Sequence, residues 1–591
     1  MCGICGECRF DGPARDVALE AMLPTLAQRG PDDEGRWLHE GVALGHRRLS
    51  IIDLSERSHQ PMVDGELALV FNGAIYNYRE LRRELQARGH RFVSEGDTEV
   101  ILKAYREWGE DCPQHLHGMF AFAIHDGARN RLFCARDRFG IKPFYYAQGD
   151  SWWRFASNTR ALLAAGGVDT ALDPAALHFQ YSLHGVVPAP YTLLRGIRKL
   201  EPAHVLIVEA DGSTRLRRYW DLDVRRSDTD LARSEDEWVE LIHDRLVSAV
   251  RRRNEVADVP VGVLLSGGLD SSLLVALLDE IGIEGFHTFS VGFEDQPEEK
   301  GSEFEYSDQV VARFRPIHHR FLVPNDEVLK RLPEAVDVMA EPMFGQDAVA
   351  FYLLSEQVSQ HIKVVQSGQG ADEVFGGYFW YPRMAAEHGG SRLDRFRKHY
   401  FDRDHDDEML HMLGARWHTR DVAGEYIARR LDDPLTDDFM DAVFKLDVTT
   451  LIVDDPVKRV DNMTMAWGLE ARVPFLDHEL VEVAARTTTG LKLRDGGKYL
   501  LKRIARGCVP DAVIDRPKGY FPMPALKYVR GEFLDFMRDI LDSQACRQRG
   551  LFRRNYVDRL LDAPEMHHTR IMGSKLWHLA LLEFWLQRYG I

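Results

Sequence analysis

The stretch Val259–Ser272, VPVGVLLSGGLDSS, combines a glycine turn with hydroxyl side chains and one carboxylate. An apolar strand that ends in a glycine turn and opens a helix directs unpaired backbone N–H groups at one point, which favours an anion. Glycines let the backbone approach a phosphate closely, and serines add hydroxyl donors. Asp270 would repel a bound phosphate unless a cation lay between them, so we assign Asp270 to Mg²⁺. The alternative is an ordinary strand-to-helix turn in which Asp270 caps the helix.

A second glycine turn with a carboxylate, SGQGADEVFGGY at residues 367–378, follows the short apolar run 362–365. Ligands of parallel α/β sheets bind at the carboxyl ends of the strands. We therefore expect Asp372 to share the Mg²⁺ with Asp270.

Cys2 becomes the amino-terminal residue once Met1 is removed, and it then carries both a thiol and an α-amine. An α-amino group with a pKa of about 8 can take up the thiol proton, so one residue supplies nucleophile and base. A small buried cysteine near the amino terminus is the alternative. Cys2, Cys5 and Cys8 also have C-x2-C-x2-C spacing, but no fourth ligand is nearby, which disfavours a metal site.

Hydrophobic patterns predict two kinds of domain that position these residues. The first part of the sequence contains strand-like runs, including 118–124 and a predicted hairpin over 131–146. A polar, charged connector follows, and strands and helices then alternate, with strands at 285–293 and 317–323, which predicts a doubly wound parallel sheet covered by helices. We predict an amino-terminal domain at 2–215, a linker at 216–236 and a second domain at 237–591.

Further along the sequence, the run Arg403–Glu408 and its surroundings predict solvated helix faces, because no histidine pair there has metal-ligand spacing. The segment 575–586 predicts a packing helix that carries Trp577, Leu581, Leu582, Phe584 and Trp585.

Composition excludes several classes of function. A sequence of 591 residues is too long for one core and predicts at least two domains. Its net charge of −17 opposes a nucleic-acid partner. The sequence has neither a basic, apolar leader pattern nor an apolar run of membrane length, and its seven cysteines suggest no disulfide framework. We expect a cytoplasmic protein without nucleic-acid or membrane partners.

Five motifs in the first domain resemble the class II glutamine amidotransferase family: CGI at 2–4, RGPDD at 29–33, RLSI at 48–51, NGAIYN at 72–77 and GDTE at 96–99. The resemblance implies an N-terminal-nucleophile (Ntn) hydrolase fold, in which two antiparallel sheets stack between helices. It implies that Cys2 attacks glutamine and that Asn72 and Gly73 donate to the oxyanion. It also implies that Arg48 binds the glutamine carboxylate and Asp97 its ammonium. One departure is Ala74, where the family commonly has Glu.

The loop SGGLDSS resembles that of the ATP pyrophosphatases. Together with SGQGADEVFGGY and the later EARVPFLD at 470–477, it resembles the asparagine synthetase family over nearly the whole sequence. The resemblance implies that Leu264 and Val291 line an adenine pocket, and that Lys498 neutralises phosphate charge. The ATP-binding set that we predict is Leu264, Ser266, Gly267, Gly268, Asp270, Ser271, Ser272, Val291, Ser367, Gly368 and Lys498, with Asp270 and Asp372 for the metal.

These features predict a glutamine- and ATP-dependent amidotransferase. Glutamine hydrolysis at Cys2 supplies ammonia to an acyl-adenylate that ATP and a carboxylate form. The products are an amide, AMP and pyrophosphate. The substrates are then glutamine, ATP and a carboxylate acceptor, the cofactors are ATP and Mg²⁺, and a homodimer is the candidate assembly. Asparagine synthetases usually carry Glu at position 369, and Gln369 cannot accept a proton at working pH.

Gln369, Ala74 and the overall length favour resemblance to the N-acetylglutaminylglutamine amidotransferases, with asparagine synthesis from aspartate as the alternative. A glutaminase with an inactive second domain and an ATP-binding regulatory module are the rivals from other classes. A β-lactam synthetase relative is disfavoured because Cys2 is present.

Overall fold

A computed structural model describes residues 2–295, 300–516, 526 and 528–591. The described strands form three sheets. In sequence order they are β1 (Gly3–Arg9), β2 (Asp33–His39), β3 (Val42–Arg48), β4 (Met62–Asp64), β5 (Leu67–Ile75), β6 (Gly118–Asp126), β7 (Arg131–Arg136), β8 (Tyr145–Gln148), β9 (Trp152–Ala156), β10 (Arg198–Lys199), β11 (His204–Glu209), β12 (Thr214–Arg218), β13 (Val261–Leu264), β14 (His287–Phe293), β15 (Ile317–Val323), β16 (Val364–Gln366) and β17 (Glu470–Arg472).

The α-helices fall into two groups along the sequence. The first group is Asp16–Met22, Tyr78–Ala87, Thr98–Trp108, Cys112–His115, Thr159–Ala164 and Pro174–Ser182. The second group is Asp228–Ala232, Glu235–Glu255, Leu269–Glu280, Phe304–Phe314, Asn325–Asp337, Asp347–Ser359, Ala371–Phe375, Trp380–Ala386, Arg392–Tyr400, Leu410–Met412, Val422–Leu431, Phe439–Leu446, Lys458–Met465, His478–Ala485, Thr489–Leu493, Tyr499–Ala505, Asp511–Ile514, Gly531–Asp542, Gln544–Arg549, Arg554–Asp562 and Lys575–Tyr589.

The first 218 residues build two stacked antiparallel sheets, in the orders β10-β8-β9-β1-β3-β2 and β12-β11-β7-β6-β5-β4. Side chains alternate across each strand, so β1 places Ile4 between the sheets and Cys5 against the helix layer. In β5, Val70 faces the other sheet and Leu69 faces the helix side. The four layers, helix, sheet, sheet and helix, confirm the predicted Ntn-hydrolase arrangement.

The second part is organised by a parallel sheet of order β15-β14-β13-β16-β17. Adjacent residues of β13 are buried on opposite faces, Val263 with the cluster that contains Leu273 and Leu264 with the cluster that contains Val349. Burial on both faces is the pattern of a parallel sheet covered by helices. The strand order reverses between β13 and β16, and this is the position where such sheets bind ligands.

The carboxyl-terminal helix Lys575–Tyr589 packs as the sequence predicts. Trp577 and Trp585 are fully buried, and their indole N–H groups donate to the carbonyls of Phe344 at 3.2 Å and Met339 at 3.0 Å. No helix among the residues that the structure describes has both the length and the apolar character to cross a membrane.

The hairpin predicted over 131–146 is wrong, because β7 and β8 belong to different sheets. The polypeptide crosses between the sheets through a loop organised by Asp137. The buried Asp137 carboxylate accepts hydrogen bonds from the N–H groups of Phe120, Phe139, Ile141 and Lys142, at 2.9 to 3.1 Å. The real hairpin joins β6 to β7.

The prediction of solvated helix faces around Arg403–Glu408 is also wrong at Arg403. This guanidinium is fully buried beside the Tyr181 ring and the Tyr556 hydroxyl, and the Glu408 carboxylate lies 3.9 Å away. Two of these partners lie more than 150 residues away in sequence, so local charge density could not reveal the burial.

The connector at 216–236 contains more regular structure than its composition indicates. β12 extends to Arg218, and the helices Asp228–Ala232 and Glu235–Glu255 begin at capping boxes formed by Ser227 and Ser234. The domain boundary at this connector stays a prediction.

Buried ion pairs join the amino-terminal half to the second half. The Asp461 carboxylate contacts Arg29 Nη1 at 2.9 Å and Lys142 Nζ at 3.0 Å, and the three residues are all buried. One carboxylate of the second half therefore neutralises two cations of the first.

Candidate active sites

The first candidate site is a cavity that we call the Cys2 pocket, lined by Cys2, Arg48, Gly73, Asp97 and Glu470, among other residues. Cys2 directly precedes β1, and its backbone N–H donates to Asn72 Oδ1 at 3.1 Å. Among the described residues, the buried Asn72 Nδ2 has no hydrogen-bond acceptor. A buried donor without an acceptor costs free energy, and an oxyanion formed at Cys2 would satisfy it.

Arg48 lies on one wall of the Cys2 pocket. Its Nη1 and Nη2 atoms donate to the backbone carbonyls of Ser55, at 3.1 Å, and Asp53, at 2.5 Å. The Asp53 carboxylate accepts from both Ser55 and Ser58, which fixes this loop. Since each guanidinium nitrogen Nη carries two hydrogens, Arg48 keeps donors for a ligand carboxylate.

Asp97 precedes the helix Thr98–Trp108, and its Oδ2 accepts from the Ile75 N–H at 2.9 Å. Burial raises the pKa of Asp97 to about 6. A cationic ligand would stabilise the ionised form of this buried carboxylate, because the positive charge compensates for the hydration that the carboxylate lost on burial.

The second candidate site, which we call the SGGLDSS cavity, has a volume of about 520 Å³ at the carboxyl ends of β13, β14 and β16. This volume suits a ligand of nucleotide size. The predicted residues that line it are Leu264, Ser266, Gly268, Asp270, Ser271, Val291, Ser367, Gly368, Asp372 and Lys498.

Two predicted residues, Gly267 and Ser272, lie behind the wall of the cavity. Gly267 has φ +76°, and a Cβ there would come within 2.7 Å of the Ser307 backbone nitrogen, so the turn requires glycine. Ser272 is fully buried. Within the loop, the Ser266 hydroxyl lies 3.1 Å from that of Ser271 and accepts from the Gly268 N–H at 3.3 Å.

The structure brings Asp270, Asp372 and Lys498 together. Lys498 Nζ lies 2.6 Å from Asp270 and 2.8 Å from Asp372, so the two carboxylates approach one point from separate strand ends. Burial alone would lower the pKa of Lys498, but the two carboxylates outweigh it and raise this pKa. Lys498 is largely buried, since only 9% of the residue is exposed.

The SGGLDSS cavity is also lined by two charged residues that the sequence motifs did not mark. Arg459 Nη2 lies 3.1 Å from the Asp347 carboxylate, and both line the cavity together with Gln369 and Tyr378. Asp347 and Arg459 come from helices outside the glycine motifs, so no local signal marked them.

Comparison with known sequences agrees with this geometry. The model of the family described as asparagine synthase matches residues 241–587, and that of the glutamine amidotransferase domain matches residues 1–220. The protein belongs to the asparagine synthetase family. It is similar to asparagine synthetase [glutamine-hydrolyzing] 3 of Bacillus subtilis, with 31% identity over 100% of this sequence and 99% of the relative.

The protein is also similar to a putative asparagine synthetase and to an amidase. A putative asparagine synthetase of Mycobacterium tuberculosis is 34% identical, over 99% of this sequence and 97% of the relative. The amidase chry2 of Gibberella zeae is 28% identical, over 89% of each sequence. This synthetase-family protein is thus an ATP-using, glutamine-dependent carbon–nitrogen ligase that acts on small molecules.

Glu470 is a charged residue of the Cys2 pocket to which the sequence motifs gave no role. It belongs to β17 of the parallel sheet, yet it lines the pocket of the other half. The motif EARVPFLD marked the segment, but only the fold places its first residue beside Cys2.

Replacing Asp97 with Asn should weaken glutamine binding and, at neutral pH, stabilise the ligand-free protein. We expect kcat/KM for glutamine to fall about ten- to hundredfold, because one charged partner of the ligand ammonium is lost. In the wild-type protein, KM for glutamine should rise as the pH falls through about 6, where Asp97 takes up a proton. Initial rates of glutamate release between pH 5 and 8 measure both effects.

The same substitution should stabilise the ligand-free protein at neutral pH. The folded-state pKa of about 6 exceeds the ordinary value of 3.8, so ionised Asp97 costs stability above pH 6, and this cost vanishes below about pH 4. The pKa difference corresponds to about 1–3 kcal/mol in the free energy of unfolding at pH 7. A lower melting temperature for Asp97→Asn at pH 7 would contradict the assignment.

Proposed function

We propose that this protein forms the amide of an acylated dipeptide, with N-acetylglutaminylglutamine as the carboxylate acceptor. The position of Gln369 carries the proposal, since it lies after β16 and lines the SGGLDSS cavity. An amide there offers hydrogen bonds but no charge for a free α-ammonium. Asp347, a carboxylate that also lines the cavity, is paired with Arg459. Neither Gln369 nor the paired Asp347 offers a free negative charge to an ammonium. The cavity therefore favours an acceptor that has no free ammonium beside its reacting carboxyl.

In the first half-reaction, glutamine occupies the Cys2 pocket with its carboxylate on Arg48 and its ammonium at Asp97. Burial raises the pKa of the Cys2 thiol, so the thiol needs the α-amine exposed by removal of Met1 as its base. Thiolate attack breaks the amide C–N bond of glutamine and releases ammonia, and water then hydrolyses the thioester to glutamate. Asn72 Nδ2 and the Gly73 N–H donate to the oxyanion.

In the second half-reaction, the acceptor carboxylate attacks the α-phosphorus of ATP and pyrophosphate leaves. Ammonia, reaching this site inside the protein, then displaces AMP from the acyl-adenylate. Ser266, Ser271 and the amino terminus of the helix Leu269–Glu280 bind phosphate oxygens. Leu264 and Val291 enclose the adenine, Ser367 and Gly368 contact ribose or phosphate, and Lys498 neutralises charge on the leaving group.

The donor set also fits Mg²⁺. The Asp270 and Asp372 carboxylates approach a common point in a wide cavity, and Mg²⁺ prefers oxygen ligands. When bound, Mg²⁺ neutralises phosphate charge. A homodimer and a cytoplasmic location remain predictions.

Asparagine synthesis from aspartate is the second candidate function. Similarity to asparagine synthetases over 99–100% of the sequence favours it. A glutaminase with an inactive second domain is disfavoured, because the SGGLDSS cavity is open and most of the predicted nucleotide-binding residues line it.

An acceptor screen with pyrophosphate detection tests the proposal. We expect glutamine, ATP and the acetylated dipeptide together to give pyrophosphate and the dipeptide amide, whereas aspartate gives little. The variant Gln369→Glu restores a carboxylate at this position and should shift the preference at least about tenfold towards aspartate. If the wild-type protein released pyrophosphate with aspartate but not with the acetylated dipeptide, the dipeptide would be refuted as the acceptor.

A further inference from the structure

The Glu470 carboxylate lines a pocket whose other polar groups come mostly from the amino-terminal half. Glu470 is 1% exposed and shares the Cys2 pocket with Arg48 and Asp97. It is close enough to raise the pKa of both Cys2 and Asp97. The pocket therefore contains a second carboxylate that the Cys2 chemistry described above does not use.

Glu470 is held in place by Arg472. Arg472 Nε donates to Glu470 Oε1 at 2.5 Å, and Arg472 Nη1 donates to the backbone carbonyls of Arg253 and Val256 at 2.7 Å. Burial would raise the pKa of Glu470, but the positive charges of Arg472, the amino terminus and Lys142 together outweigh burial and lower this pKa, so Glu470 is ionised at neutral pH. Strand β17 thus presents a fixed negative charge to the pocket.

The charges of the Cys2 pocket match a zwitterion. Arg48 provides the positive charge on one wall, and Asp97 and Glu470 provide negative charge elsewhere. Two buried carboxylates near each other favour a cation between them. The free amino acid glutamine carries such a cation on its α-carbon.

We propose that Glu470 is a second binding partner of the glutamine α-ammonium, so that Asp97 and Glu470 share this group across the two halves of the protein. This inference rests on the glutaminase activity in the proposed function and adds a substrate-binding residue to it. The glutamine site is then complete only when β17 lies against the amino-terminal half.

The register of the parallel sheet gives this residue a connection to the SGGLDSS cavity. Gln366 pairs with Arg472 where β16 lies beside β17, and the residues that follow β16 line that cavity. A shift of β17 would therefore move groups at both sites.

The test compares two amide substrates, glutamine and glutaramate, the analogue that lacks the α-amine. With Glu470→Gln, we expect kcat/KM for glutamine to fall about ten- to hundredfold, mainly through KM. The value for glutaramate should change less than about twofold, because this ligand has no ammonium to lose. Glu470→Asp should recover part of the loss with glutamine.

Glu482→Gln is the matched control. Glu482 accepts from Trp220 Nε1 at 2.8 Å near the connector, and it lies outside the Cys2 pocket. This variant should keep wild-type values for both substrates. Ammonia-driven pyrophosphate release and the melting temperature show whether Glu470→Gln is folded.

Several results would overturn the proposal. Equal losses with glutamine and glutaramate would mean that Glu470 acts on Cys2 or on packing, and an unchanged KM for glutamine would mean that it touches no ammonium. A wild-type enzyme that makes no glutamate from glutamine would instead refute the proposed glutaminase reaction itself.

Discussion

Replacing Cys2 with Ala is expected to reduce glutamine hydrolysis by about 10⁴-fold or more, because the reaction loses its nucleophile. Other thiols cannot replace it. Cys5 and Cys8 lie in β1, which follows Cys2, but they are buried in the cores on the two faces of the sheet, and burial raises the pKa of Cys8 to about 12. Glutamate release with a coupled dehydrogenase measures the loss.

The reaction at the SGGLDSS cavity should be unaffected by the Cys2→Ala substitution. We expect Cys2→Ala to release pyrophosphate from ATP and acceptor at the wild-type rate when ammonium chloride replaces glutamine. Cys5→Ala is the control, since it removes a nearby thiol from β1 at a position that faces the helix layer. If Cys2→Ala lost both activities while folding normally, the division of labour between the two sites would be wrong.

Replacing Lys498 with Met is expected to lower pyrophosphate release about 10²- to 10³-fold with either glutamine or ammonia. Lys498 lies between Asp270 and Asp372, and in the proposed adenylation phosphate charge develops at this point. Radiolabelled ATP and separation of pyrophosphate measure the rate, and glutamate release by the same variant should persist.

Lys502→Met provides the comparison for Lys498. Lys502 lies one helical turn later, and its Nζ donates to the Asp495 backbone carbonyl at 2.6 Å rather than to either aspartate. We expect less than about a threefold effect. Similar losses in both variants would mean that general positive charge, rather than the contact with the two aspartates, drives the reaction.

The glycine motifs predicted their own surroundings well. SGGLDSS and SGQGADEVFGGY each combine a buried strand with a turn, and parallel strands bring their carboxyl ends to one edge, so local pattern and sheet topology together placed Asp270 near Asp372. The alternation of strand and helix patterns predicted the parallel sheet of the second half, and the structure confirms it. The stacked sheets of the first half were implied by the resemblance to the class II glutamine amidotransferases, and they too are confirmed.

The errors arose where distant residues decide the local structure. The Asp137 carboxylate accepts hydrogen bonds from N–H groups of its own loop and of Phe120, and this loop leads from one sheet to the other. Strand composition does not reveal these bonds, and on composition alone a hairpin was predicted. Arg403 is buried because Tyr556 and Tyr181 surround it. Glu470 and Arg459 reach their cavities only after the helices and sheets have packed.

The pairing of Asp461 with Arg29 and Lys142 has a consequence for how this protein could be divided. If the backbone were cut within 216–236 and the fragments were produced separately, the amino-terminal fragment would expose two positive groups, and the remainder would keep a lone buried acid. Each fragment would then be less stable alone, and mixing them should restore a complex whose affinity weakens at acid pH, as Asp461 becomes protonated. The halves are therefore expected to exchange between homologous proteins only when this trio of residues moves as a set.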